Sequence, residues 1–159
     1  MDLTFTTAEG KFNVRVVAVI VKDEKLLCTY HADRNEYTLP GGRLRFAETA
    51  EDGVLRETKE EMGISAKIVR PLWVVQNFFT EKNSGIRRHE FNFYYLLDIT
   101  ETSLLQAPDR FFTEDEGSLH EFVFLPFAEL KNVRIHPAFL PDCIYDLPQT
   151  PILLSTVRE

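Results

Sequence analysis

Residues 42–64 read GRLRFAETAEDGVLRETKEEMGI, and the order of acids within them decides what the chain is built around. Thr49 with Asp52 three residues on forms a capping-box-like start, and Gly63 is a C-terminal stop, so the spacing predicts a helix to about Met62. Ala50, Val54, Thr58 and Met62, flanked by Leu55, make its apolar stripe. Beside that stripe, Glu57, Glu60 and Glu61 stand at i, i+3 and i+4, within an arc of roughly 100°. Like charges so placed cost a helix about 0.2–0.5 kcal/mol per pair. A solvated face is the ordinary explanation of a KEE run. The other explanation is a cation over the arc. Oxygen-only carboxylate clusters suit Mg²⁺ or Mn²⁺, and Mg²⁺ commonly joins carboxylates to substrate phosphates. Gly53 projects near the acidic side, where a missing side chain leaves room for the preceding loop.

The surroundings favour the cation. Gly42, Glu48, Arg56, Glu57, Glu60, Glu61 and Gly63 match, in spacing and type, the pattern G-x5-E-x7-R-E-U-x-E-E-x-G-U, where U is a bulky apolar residue. In this box, residues 42–64, and in the Leu39-Pro40-Gly41-Gly42 run that leads into it, the chain resembles the Nudix hydrolases. Thr58 is the one departure, at a position where the family prefers an aliphatic side chain. Its methyl group still allows it to face a core.

That resemblance implies an enzyme acting on phosphoanhydride bonds: a Mg²⁺-dependent pyrophosphohydrolase that cleaves a nucleoside diphosphate linked to another moiety. Nucleoside triphosphates and related nucleotide derivatives are the expected substrates. Glu57, Glu60 and Glu61 would hold the ion or ions, with the backbone carbonyl of Gly41 as a further ligand and Mn²⁺ as a possible substitute. Candidates to take the proton from the attacking water are Glu60 and Glu61 in the box and Glu116 beyond it, with Glu114 and Asp115 as rivals to Glu116. Arg56 would orient Glu48 or Glu60. Arg43 and Arg45, inside the box loop, are the arginines best placed for phosphate, and Tyr37 or Phe79 could stack on a base. Marks of the ADP-ribose, diadenosine-polyphosphate and NADH-cleaving subfamilies are missing. The competing reading is a Nudix-fold sensor or interaction module that binds nucleotide without turnover, although such proteins often lose box glutamates and this chain keeps them. An isoprenoid diphosphate isomerase would need a reactive cysteine and a further glutamate, and neither Cys28 nor Cys143 has that context.

Composition agrees with one soluble domain over residues 1–159, with 44% hydrophobic and 27% charged residues. No apolar run reaches the 18 or so residues of a membrane span, and MDLTFTTAEGKF is no signal peptide. Two cysteines without metal-ligand spacing fit free thiols in a cytoplasmic protein. A formal charge of −7 argues against non-specific nucleic-acid binding, though not against a nucleotide whose phosphates a metal neutralises.

Along the chain, residues 13–22 read as a buried strand, with Lys25–His31 as its hairpin partner. Residues 65–79 and 87–99 read as long strands around an Asn83-Ser84-Gly85 turn. Residues 100–120 read as a long loop, Glu121–Leu125 as a strand, and Pro126–Lys131 and Pro137–Leu147 as short helices. The apolar tail Pro151–Val157 wants a partner surface, its own core or a second subunit in a homodimer. This order predicts an α/β (α+β) fold with a mixed sheet covered by helices. The family resemblance implies the same architecture, an α/β/α sandwich.

Overall fold

A computed structural model describes residues 1–158. Among these residues, strands numbered along the chain form two mixed sheets of six strands each. The first sheet runs β1 (Thr4–Thr7), β2 (Gly10–Val19), β8 (Arg87–Asp98), β7 (Lys67–Thr80) and β12 (Ile152–Arg158), with β6 (Gly41–Arg43) also on β2. The second runs β11 (Ile135–His136), β5 (Glu36–Thr38), β4 (Lys25–His31), β10 (Ser118–Pro126) and β9 (Arg110–Asp115), with β3 (Val21–Lys22) on β4. The β2–β8, β7–β12 and β5–β11 pairs are parallel.

Strand alternation divides the interior in two. Val16, Ala18 and Ile20 of the β2 segment point to one side, with Leu27, Phe122 and Phe124, and meet Val54 of the box helix. Val17 and Val19 point to the other, with Cys28, Trp73, Val75 and Tyr94. Each such side chain taken fully out of water contributes about 1.5–3 kcal/mol, so a strand apolar on both faces is fixed from both sides. On the second side the cover is thin: a 3₁₀ stretch, Phe127–Asn132, and the single-turn helix α2, Leu140–Cys143.

The box helix, α1, spans Ala50–Met62 as its caps predict. Thr49 accepts a hydrogen bond from the Asp52 N–H at 3.1 Å, and Gly63 ends the helix at φ +69°. Thr58 is 2% exposed, and its hydroxyl donates to the Val54 carbonyl at 2.7 Å. That bond lets a polar residue occupy an aliphatic position without an unsatisfied group.

Three expectations fail. The strand read over residues 13–22 divides at Ile20: β2 stays in the first sheet, and only the two residues of β3 make the hairpin with β4, Val21↔Leu26 and Lys22↔Lys25. Residues 100–120 are not a loop: a 3₁₀ turn at Ser103–Gln106 leads into the hairpin β9–β10, whose tip is Glu116-Gly117 with both residues at positive φ. The polar letters of RFFTED hid a period-2 strand in which Phe111, Thr113 and Asp115 turn inward while Phe112 and Glu114 face solvent. The helix expected over residues 137–147 shrinks to Leu140–Cys143. The tail finds its partner within the chain, pairing with β7 from Ile152↔Trp73 to Arg158↔Phe79. Leu153 and Val157 remain exposed there. No helix among the described residues is long and apolar enough to cross a membrane.

Candidate active site

Two glycines let the box loop close on the helix. A Cβ on Gly42 would lie 2.2 Å from the Glu57 carboxyl carbon, so only glycine admits that carboxylate against the strand. A Cβ on Gly53 would lie 2.7 Å from a Leu44 methyl and 3.2 Å from Glu48 Oε2, which is how loop and helix come within contact.

Arg56 ties the site together. Its Nε donates to Glu48 Oε1 at 2.6 Å and Nη2 to Glu48 Oε2 at 2.9 Å, a two-pronged grip. Nη1 donates to Glu57 Oε1 at 2.7 Å and Glu60 Oε2 at 2.9 Å, while Nη2 also reaches the Arg43 carbonyl at 3.1 Å. The orienting role expected of Arg56 toward Glu48 or Glu60 thus has contacts with both. The hydrogen bond from Arg56 holds the Glu48 carboxyl below the usual range, and Glu48 in return raises the guanidinium.

Glu57 and Glu61 are under the opposite pressure. Burial raises the pKa of Glu57 and outweighs its bond from Arg56. Burial first, then the charge of Glu57 and more weakly that of Asp115, push Glu61 up to about 8, against the opposing Arg15 charge and the Gly41 N–H. This is a half-buried pair of oxygen donors with too little positive charge beside it. Its chemistry fits a hard divalent cation. Glu60 is turned to Arg45 at 3.2 Å as well as to Arg56, and among the described residues no three His, Cys, Asp or Glu side chains close around one point.

The other expected residues are spread more widely. Gly41 lies on β6 opposite Val17, at the Glu61 end of the site. Arg43 pairs with Arg15 across the sheet, is 3.5 Å from Asp2, and has a buried Nε without a hydrogen-bond partner. Tyr37 stacks obliquely on Tyr30 at 4.9 Å and packs against the second core, and Phe79 lies under Arg158 at 4.5 Å. Glu116 is exposed at the hairpin tip, at φ +46°. The hairpin meets the helix three residues earlier, where the Thr113 hydroxyl donates to the Glu61 backbone carbonyl at 2.6 Å.

One residue escaped sequence reasoning, Arg15, whose charge acts on both Glu57 and Glu61; Asp115, weighed only as a rival to Glu116, is the hairpin acid whose charge acts on Glu61. Arg15 could have been noticed as the one cation inside the apolar run VRVVAVIV. The signal for Asp115 was the alternation with Phe111 and Thr113.

Comparison with known proteins identifies the family. Residues 11–143 match the family model of the NUDIX domain. The chain is similar to an ADP-ribose pyrophosphatase from Methanocaldococcus jannaschii, 30% identical over 99 residues, 60% of this chain and 56% of that one. It is also similar to a probable DHNTP pyrophosphohydrolase from Lactococcus lactis, 31% identical over 121 residues, 71% of this chain and 73% of the other. The chain spans about half the length of the first curated relatives it matches, 47% and 56%. Among solved structures, the MutT protein from Bacillus halodurans superposes with a TM-score of 0.62 at 14% identity, covering 91% of this chain and 89% of that one, a likeness of fold. With the box, the fold and the family model in agreement, the chain belongs to the Nudix family.

Proposed function

We propose that the protein is a divalent-metal-dependent pyrophosphohydrolase that cleaves the phosphoanhydride of a nucleoside diphosphate linked to another moiety. Nucleoside triphosphates and nucleotide-linked diphosphates are the substrate class. The observation that carries this reading is the carboxylate pair Glu57–Glu61, crowded against Gly41 and Gly42, with one guanidinium, Arg56, shared among Glu48, Glu57 and Glu60 and none of its donors on Glu61. The names of the relatives, which concern ADP-ribose and DHNTP, support the substrate class.

In this reading Glu57, Glu60 and Glu61, with the Gly41 carbonyl, would hold Mg²⁺, or Mn²⁺ in its place. Bound there, the cation supplies charge neutralisation of phosphate oxygens and an acidified water. The protein's own residues do the rest. Arg56 keeps Glu48, Glu57 and Glu60 in fixed orientation, so little reorganisation remains for the reaction step. Glu61 is a candidate to take the proton from the attacking water, beside a cation that offsets the burial and the Glu57 charge acting on it. Glu60 and Glu116 are the other candidates for that role. Arg43 and Arg45, with Arg15, supply guanidinium groups for phosphate oxygens.

The test is turnover of a panel of nucleoside triphosphates, ADP-ribose, sugar nucleotides and dinucleotides with Mg²⁺, by the wild type and by Glu60→Gln and Glu61→Gln. Pyrophosphatase couples the triphosphate assays, and a phosphatase the others. Metal-dependent release of phosphate that is lost in the variants is the expected result. Tight nucleotide binding without turnover across the panel would replace the hydrolase with a sensor.

A further inference from the structure

The face of the first sheet that carries Val17 and Tyr94 turns polar beyond them. One step along, Arg43, Arg15 and Asn92 lie side by side on β6, β2 and β8. The next step brings Asn13, Glu90 and Asn77 abreast. The third has Lys11, Arg88, Phe79 and Arg158, which also line a cavity of about 650 Å³. At about 3.3 Å per residue, successive steps are about 7 Å apart. The strip therefore leads from the carboxylates, through Arg15, to an open space at the sheet end.

Its middle is a pair of acceptors with spare capacity. Glu90 is 9% exposed and accepts from Asn13 Nδ2 at Oε1 (3.0 Å), and among the described residues Oε2 has no hydrogen-bond donor. Asn92 is 5% exposed, and its Oδ1 is buried without a partner. An orphaned buried acceptor costs stability, so its retention calls for a donor that the free protein lacks. Arg15, half-buried and without an ion-pair partner among the described residues, stands beside Asn92. Turned toward phosphate, it would give access to both acceptors.

We propose that Glu90 and Asn92 form a ribose subsite, accepting hydrogen bonds from the 2′- and 3′-hydroxyls of a ribonucleotide whose phosphates lie at Arg15 and the box carboxylates. Two acceptors without a donor match a vicinal diol, and carboxylate recognition of the 2′-hydroxyl is a recurrent solution. Their placement, beside Arg15 and one step beyond it, suits a sugar next to the α-phosphate. The nucleobase then extends toward Phe79 and Arg158. This inference rests on the proposed nucleotide chemistry.

The test is calorimetric titration of the whole protein with ADP, GDP and IDP and with 2′-deoxy-ADP and 2′-deoxy-GDP, using Ca²⁺ as the counter-ion. Wild type, Asn92→Leu and Glu90→Gln are compared. Wild type should prefer the ribose form by about 10–100-fold, the range set by one buried hydrogen bond to a carboxylate. Glu90→Gln, which weakens the acceptor for the 2′-hydroxyl, should cut that preference severalfold. Asn92→Leu, which removes the acceptor for the 3′-hydroxyl, should weaken ribose and 2′-deoxy forms alike by about tenfold without lowering Tm, because nothing in the free protein satisfies that acceptor. Equal affinity for ribose and deoxyribose forms in wild type overturns the subsite alone. So does a preference that follows the 2-amino group, GDP over IDP, rather than the hydroxyl. A large fall in Tm for Asn92→Leu would make Asn92 a structural residue, leaving Glu90→Gln to decide; an unchanged preference there also overturns the subsite. Failure of the wild type to bind any of the five defeats the nucleotide reading itself.

Discussion

Replacing Glu61 by Gln should make the metal-free protein more stable while destroying its response to divalent cations. A carboxyl whose ordinary value is 4.5 and whose value in the fold is about 8 resists ionisation in the folded state. By linkage, at pH 7 this amounts to about 3 kcal/mol of lost stability, which solvent screening at a partly exposed side chain reduces to about 1–2 kcal/mol. The direction follows from the raised value: stability is complete below pH 4.5 and is lost as pH rises toward 8. In EDTA, Glu61→Gln and wild type should therefore melt together near pH 4. At pH 8 the variant should melt higher by roughly 2–8 °C, given about 2–4 °C per kcal/mol for a domain of this size. Titrating Mg²⁺ at pH 8 should raise the wild-type Tm, because binding relieves the same charge, and leave the variant nearly unmoved. Thermal scans by circular dichroism at several pH values, with and without Mg²⁺, contain the whole comparison. A variant that melts at or below wild type at pH 8 in EDTA, or that gains as much from Mg²⁺, refutes the argument from crowded charge.

Gly42→Ala should keep the far-ultraviolet spectrum and lose about 100-fold in kcat/KM, since its methyl group would displace the Glu57 carboxylate whose carbon now stands 2.2 Å from that Cβ position. Arg56→Lys should cost about 2–3 kcal/mol in urea denaturation, because an ammonium cannot reproduce the grip on Glu48 or reach Glu57 and Glu60 at once. Thr49→Ala should cost about 1 kcal/mol, a Tm fall of roughly 2–4 °C, through loss of the cap on the Asp52 N–H. Cys28, fully buried and with its thiol pushed up by burial, should react with a disulfide reagent only on unfolding, well after the partly exposed Cys143.

What could be read from the chain beforehand was whatever depends on local order. The helix limits at Thr49 and Gly63, the core face through Val54 and Thr58, and the room left by Gly53 all follow from neighbours within a few residues. The β9–β10 hairpin was harder because its inward residues Phe111, Thr113 and Asp115 are interleaved with a charged and an aromatic outward set, so average polarity masks the period. Arg15 was invisible as part of the site for another reason. Its relation to Glu57 and Glu61 is made by β6 crossing onto β2, a pairing between residues nearly thirty apart that no local spacing announces. The short helix at Leu140–Cys143 shows the reverse error, a polar-apolar mixture read as one long element where only a single turn is wound.

The β9–β10 hairpin also works as a ruler. Thr113, midway along it, is fixed to the last turn of α1, while Glu116-Gly117 closes it three residues further out. Lengthening both strands by two residues would move the tip about 7 Å and preserve which side chains face the helix; lengthening each by one would turn Asp115 to solvent and bring its neighbour inward. The reach of acidic groups over the box carboxylates can thus change in steps of two without disturbing Phe122 or Phe124 beneath. The hairpin is a part of this fold that can be resized while the box stays as it is.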